Sequence, residues 1–295
     1  MKLGSSVTSE VHFLEISNSN VKFKIINSRE QNHEYSVDHR GDEFFIHTNY
    51  RAKNFRLMKT PIDKPSKKNW KEVIPHRKNI MLEDFDIFED YLATYELNDG
   101  ITKIKIINFE EKKSHYIKFN EEIYSIFKET NPEFDTPILR FSYSSLITPE
   151  KIIDYNMKTK KEKIVKKERV LGYNPLSYKV KREYAIAEDG VEIPISLAYK
   201  KRTRKNGKNP MFLIGYGSYG VTSKPSFSSQ IINLLVKRFI LAIAHIRGGC
   251  EKGREWYESG KFLKKKNTFK DFISCAKYLI NKKYTSKERL IIFSH

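Results

Sequence analysis

Hydrophobic periodicity changes abruptly near residue 172. On the N-terminal side, apolar residues come in short alternating runs broken by turn signals, the period-two pattern of antiparallel strands. Glu43-Phe44-Phe45-Ile46-His47-Thr48 follows the turn Asp38-His39-Arg40-Gly41-Asp42, and Tyr91–Leu97 is joined to Ile101–Ile107 by Asn98-Asp99-Gly100, a strong hairpin signal. Strands that follow charged turns place Phe45, Leu92 and Phe141 at spacings of 47 and 49 residues. That interval suits four-stranded units stacked as propeller blades, and an ordinary β-sandwich is the alternative that spacing alone leaves open.

Beyond residue 172 the pattern is of another kind. Lys181–Ala187, Glu188-Asp189-Gly190 and Val191–Tyr199 predict one more hairpin. Then Met211–Gly215, Phe227–Lys237, Phe239–Ala244, Phe269–Asn281 and Leu290–Phe293 read as β, α, β, α, β. Continuous apolar strands alternating with amphipathic helices require a sheet covered on both faces, the doubly wound α/β class. Two domains are therefore expected, residues 1–172 and 173–295. Thr285 or Ser286 is placed to cap a short turn before the last strand.

Charge follows the same division. The 295 residues carry a formal net charge of +19, yet residues 173–295 hold 25 basic and 9 acidic side chains. The basic runs Lys158–Arg169 and Lys200–Lys205 suit solvated loops; no aromatic RNA-binding signature accompanies them, and no nucleic-acid partner is expected. Two cysteines, Cys250 and Cys275, supply neither a disulfide framework nor a zinc site. Residues 1–10 lack an apolar signal region and no run reaches the roughly 20 apolar residues of a bilayer span, so a cytoplasmic chain without a membrane partner is expected.

Two loops at strand carboxyl ends hold the residue types of a site, because ligands of open α/β sheets lie there. Gly215-Tyr216-Gly217-Ser218-Tyr219-Gly220 permits a tight turn with exposed amides and a tyrosine at its tip; it lacks the Lys-Ser/Thr of a phosphate loop, and no cofactor or metal is expected. Its alternatives are a packed strand-exit loop or a Tyr hydroxyl donating to a developing oxyanion. His245-Ile246-Arg247-Gly248-Gly249-Cys250-Glu251 follows the next strand, where Arg247 is expected to pair with an acidic residue; a Cys250 thiol with His245 as base is the less favoured reading.

Gly215–Gly220, Pro225–Ser228, Ala242–Gly249, Trp256-Tyr257 with Gly260-Lys261, and Tyr284–Leu290 closely resemble the prolyl oligopeptidase family of serine peptidases. Glu34–Asp42, Lys53–Leu57 and Ile74–Arg77 agree, and within the family the likeness is nearest to the oligopeptidase B, or protease II, subfamily. The resemblance implies C-terminal blades of an incomplete β-propeller over 1–172, followed by the N-terminal portion of an α/β-hydrolase catalytic domain over 173–295. It implies for Tyr216 one half of an oxyanion hole and for Tyr219 an aromatic position near the substrate pocket. Relatives place Gly-Gly-Ser-x-Gly-Gly after the strand matching Leu290–Phe293. Here Ser294-His295 occupies the place of the glycines, and Cys250 replaces a third glycine of an Arg-Gly-Gly-Gly-Glu run. The chain is accordingly expected to lack the catalytic Ser, Asp and His, to be silent alone, and to dock a companion C-terminal fragment. A completed enzyme would cleave short peptides after Arg or Lys by acyl transfer. The alternative is a non-catalytic module that docks a companion or binds nucleic acid through its basic loops.

Overall fold

The structure, a computed structural model, describes residues 1–5, 7–14 and 22–294. Strands Lys2–Gly4 (β1), Ser9–Phe13 (β2) and Lys24–Ile25 (β3) form a small antiparallel sheet. Three four-stranded sheets follow. The first has the order β4-β5-β6-β7, from Tyr35–Arg40, Glu43–Thr48, Arg56–Pro61 and Lys71–Ile74. Met81–Ile87 (β8), Tyr91–Asn98 (β9), Ile101–Asn108 (β10) and Ser114–Tyr116 (β11) form the second; Ser125–Lys128 (β12), Ile138–Ser144 (β13), Lys151–Asn156 (β14) and Lys161–Lys167 (β15) form the third. In each, strands adjacent in sequence are neighbours in the sheet, the meander of a propeller blade.

Strand β5 shows what makes these sheets blades rather than a one-sided layer. Phe44 and Ile46 pack with Val11, Tyr35, Met58 and Trp70, whereas Phe45 joins Leu57, Leu82, Phe85 and Leu92. Successive side chains of a strand point to opposite faces, so a strand apolar on both must be covered on both. The 47- and 49-residue spacing therefore reports propeller-type sheets.

After them come Tyr178–Ile186 (β16), Glu192–Lys200 (β17), Met211–Ile214 (β18), helix Ser229–Val236 (α1), Ile240–Ala244 (β19), helices Arg254–Glu258 (α2) and Lys266–Asn281 (α3), and Leu290–Phe293 (β20). The five strands are ordered β16-β17-β19-β18-β20. The β16–β17 and β17–β19 pairs are antiparallel, β19–β18 and β18–β20 parallel. Strand β19 explains its own apolar run: Ile240, Ala242 and Ala244 pack with Cys275 and Leu279 of α3, while Leu241 and Ile243 pack with Ile232 and Leu235 of α1. Among the described residues no helix is long and apolar enough to cross a membrane.

Two compact units emerge from the packing, residues 1–96, 104–115 and 133–136 in one and 97–103, 116–132 and 137–295 in the other. The second unit thus combines the β12–β15 sheet, the Asn98-Asp99-Gly100 tip and the mixed sheet. Two local expectations are corrected. Helix α1 begins at Ser229 rather than Phe227, because Ser228 is extended (φ −140°, ψ 120°); the Phe227 N–H donates to the Ser144 hydroxyl (2.9 Å) and its ring packs against Tyr173. Neither Thr285 nor Ser286 caps the turn at Lys287–Arg289 through its side chain. The Thr285 hydroxyl donates instead to the Asn209 carbonyl at 2.8 Å, and Ser286 bonds the Glu288 carboxylate.

Candidate functional site

Strand β18 lies between β19 and β20, and Tyr216 stands two residues past its last residue, at the carboxyl edge of the parallel strands. The turn that holds it is built by backbone proximity. Gly217 lies at φ +59°, and a Cβ there would come within 3.0 Å of Thr268, Ile246 and the Arg247 carbonyl. Gly248, at φ +103°, has no room for a Cβ against the Gly217 carbonyl. Only glycine permits so close an approach of two loops. The Gly220 N–H donates to the Gly248 carbonyl (3.0 Å), and Lys265 Nζ donates to the Gly217 carbonyl and Ser218 Oγ, both at 2.6 Å. Tyr216 is half-buried beside this clamp; Tyr219, at φ +55°, is 84% exposed.

The neighbouring loop is fixed by charge. Arg247 donates from its backbone N–H and from Nε to Asp271 Oδ2 at 3.0 and 2.8 Å, and from Nη2 to Oδ1 at 2.6 Å. Its Nη1 reaches Asp189 at 2.6 Å. The Asp271 hydrogen bonds raise the guanidinium above its ordinary value, and the Arg247 hydrogen bond lowers Asp189. The acidic partner anticipated for Arg247 is thus supplied twice, from α3 and from the β16–β17 turn.

The less favoured pairing of the Cys250 thiol with His245 is not formed, because His245 turns elsewhere. Its Nε2 lies 2.6 Å from Ser196 Oγ, which also accepts from Arg182 Nη1 at 2.9 Å. The opposite ring nitrogen, Nδ1, faces Glu251 Oε1 at 3.7 Å, beyond hydrogen-bond distance. Burial pushes the imidazole down, toward the neutral form. Glu251 Oε1 accepts from the Ser223 N–H (2.8 Å); the Glu251 carbonyl accepts from Gly100 N–H (2.7 Å), and Arg182 Nη2 donates to the Asp99 carbonyl (3.1 Å). Ser196, His245 and Glu251 thus imitate a catalytic triad in order. Yet Ser196 and His245 are fully buried, and Ser196 sits inside β17 with no strand-to-helix elbow to present it. The trio is a polar core that ties the hairpin tip at 98–100 to the loop at 245–251. Ser196 stands 49 residues before His245, on β17, and no sequence spacing signals that pair. Cys250 is buried beside Gly220.

Tyr216 and Tyr219 therefore share one loop at the carboxyl end of β18. His295 lies outside the described residues, and Ser294 is exposed just past β20.

The family described as "Prolyl oligopeptidase, N-terminal beta-propeller domain" matches residues 1–168, and "Prolyl oligopeptidase family" matches 225–294. The chain is 38% identical over 288 residues to the dipeptidyl aminopeptidase BI of Pseudoxanthomonas mexicana, covering 97% of this chain and 40% of that protein. Protease 2 of Moraxella lacunata is 32% identical, with 97% and 41% covered. Oligopeptidase B from Leishmania major superposes with a TM-score of 0.90 at 32% identity over 99% of this chain and 43% of its own. The chain spans about 40% of the length of the curated relatives it matches.

Proposed function

The chain belongs to the prolyl oligopeptidase family, and from that premise we propose that its 295 residues supply the Tyr216 side of an oligopeptidase B-like serine peptidase site. The observation that carries this reading is the position of Tyr216 at the carboxyl end of β18, in a turn clamped by Gly217, Gly248 and Lys265. A rigidly held phenol donates to the oxygen of a tetrahedral intermediate without reorganising as charge develops. The exposed Tyr219 ring then contributes apolar surface for a substrate side chain.

In this reading the completed enzyme cleaves short peptides after Arg or Lys by acyl transfer, in the cytoplasm. The 295 residues alone do not, because their sequence contains no Gly-x-Ser-x-Gly and the buried Ser196–His245 pair offers no accessible nucleophile. The edge strand β20 favours a companion polypeptide segment as partner: Ile291, Ile292 and Phe293 are 48%, 62% and 41% exposed at the parallel edge of the mixed sheet. A docking module without chemistry is the second reading that this same edge supports.

The test is hydrolysis of a fluorogenic Arg-Arg dipeptide amide by the chain alone and after mixing with the separately produced remainder of an oligopeptidase B relative. Turnover only in the mixture, reduced about 10²–10³-fold in kcat by Y216F, is the expected result. Turnover by the chain alone would overturn the reading, and a mixture that forms a stable complex without turnover would favour the docking module. Release of N-terminal dipeptides without internal cleavage would move the specificity toward that named for the Pseudoxanthomonas relative.

A further inference from the structure

Two cavities of about 610 and 820 Å³ open side by side on the second unit and share Asn174, Leu176, Tyr178 and Lys201 in their walls, so they form one cleft. Its lining contains no residue of the 215–220 or 245–251 loops. The first cavity is apolar at its base, with Tyr143, Ile153 and Tyr178 buried, and Leu176 stands 75% exposed at the junction. The walls are preformed. Asn174 Oδ1 accepts from the Leu176 N–H at 3.0 Å, and Lys200 Nζ donates to the Val236 carbonyl at 3.0 Å.

Charge distinguishes this cleft from an ordinary surface groove. Lys118, Lys151 and Lys167 line the first cavity; Lys200, Lys201, Arg202, Arg204 and Arg238 line the second, with Lys201 reaching both. None of these cations forms an ion pair with a carboxylate among the described residues, in contrast to Arg247 and Lys181. Only Glu121 and Glu162 oppose them. Glu121 is occupied: it accepts from the hydroxyls of Ser145 (2.6 Å), Thr148 (2.5 Å) and Tyr143 (3.1 Å).

We propose that this cleft docks an acidic polypeptide segment bearing apolar side chains. Carboxylates of the segment meet the lysines and arginines that lack carboxylate partners, and its apolar side chains cover Leu176. Potentials of one sign in a cleft with low-dielectric walls attract the opposite charge well beyond contact distance. A single-stranded nucleic acid fits less well, because it needs open ring faces on which bases stack. Here Tyr143 already stacks on Phe119 at 5.1 Å with Lys151 over it, and Tyr178 stacks on Tyr173 at 5.3 Å with Lys200 over it.

The experiment is fluorescence anisotropy of the full chain with a labelled peptide of alternating Glu and Leu. Binding is expected to weaken at least about tenfold in K151E/K201E/R204E, to weaken several-fold in L176S, and to be unchanged in K71E/K103E/K112E, which reverses as many exposed charges elsewhere. Leu176 is exposed enough for L176S to keep its fold, so the test stands even if the triple reversal unfolds the chain. Equal loss in the two charge-reversal variants, unchanged binding in L176S, or an oligothymidylate of equal charge binding as tightly as the peptide would each overturn the proposal.

Discussion

At the scale of single residues, Arg247 anchors its loop through a fully buried carboxylate. R247M strands the Asp271 carboxylate, 0% exposed and stripped of its Arg247 side-chain donors, and is expected to lower unfolding free energy by about 3–5 kcal/mol. D189N removes the other partner, whose carboxylate is 48% exposed, and should cost less than about 1 kcal/mol. Urea unfolding of both variants checks the ranking, and equal losses would refute it. Glu183 sets an acid limit. Burial raises its carboxyl, but hydrogen bonds from Lys181, Tyr278 and Tyr284 outweigh that and bring it from 4.5 to about 2. A group depressed on folding contributes stability that is complete above its unfolded value and is lost as pH falls through the folded one. Stability of the wild-type chain should therefore decline from about pH 4.5 toward 2, and E183Q should flatten that decline in urea titrations at each pH. Arg247 was legible as an ion-paired residue because a guanidinium beside Gly-Gly at a strand end needs an anchor. Its partners, 24 and 58 residues distant, were not.

Elements in this chain are decided by which faces are covered. β19 and β5 are apolar at successive positions because each is packed on both sides, and that pattern is visible in sequence. Helix α1 starts two residues after Phe227, which is apolar and in helical register but precedes the extended Ser228 and is bonded to Ser144 of β13. That bond spans 83 residues, beyond the reach of a local period. Loop glycines divide in the same way. Gly41 and Gly217 both adopt positive φ, +54° and +59°, but a Cβ at Gly41 meets nothing within 4 Å. G41A should therefore cost only the backbone strain, about 1 kcal/mol, whereas G217A must also push apart Ile246, Thr268 and the Arg247 carbonyl. A larger drop in Tm for G217A than for G41A is the expected outcome; equal drops would show that the clamp yields without cost.

For the molecule as a whole, the mixed sheet is asymmetric. β17, β19 and β18 are flanked on both edges by strands, whereas β20 pairs only with β18 and leaves Ile291–Phe293 exposed. Among the described residues β20 is paired on one edge and β19 on both, so hydrogen exchange at Ile291 and Ile292 should be far faster than at Leu241–Ile243 of β19. A companion segment that docks on β20 should slow it, and comparable protection in the isolated chain would count against an open edge. Period, turn chemistry and the placement of Tyr216 and Arg247 after apolar strands were all readable along the chain, since each depends on neighbours a few positions apart. Tertiary structure alone decided which glycines touch, that Ser196 and His245 meet in the core rather than at a site, and that lysines from β14, β15 and the 200–204 loop line one cleft. Those outcomes depend on long-range strand pairing, which brings together side chains that no local pattern relates.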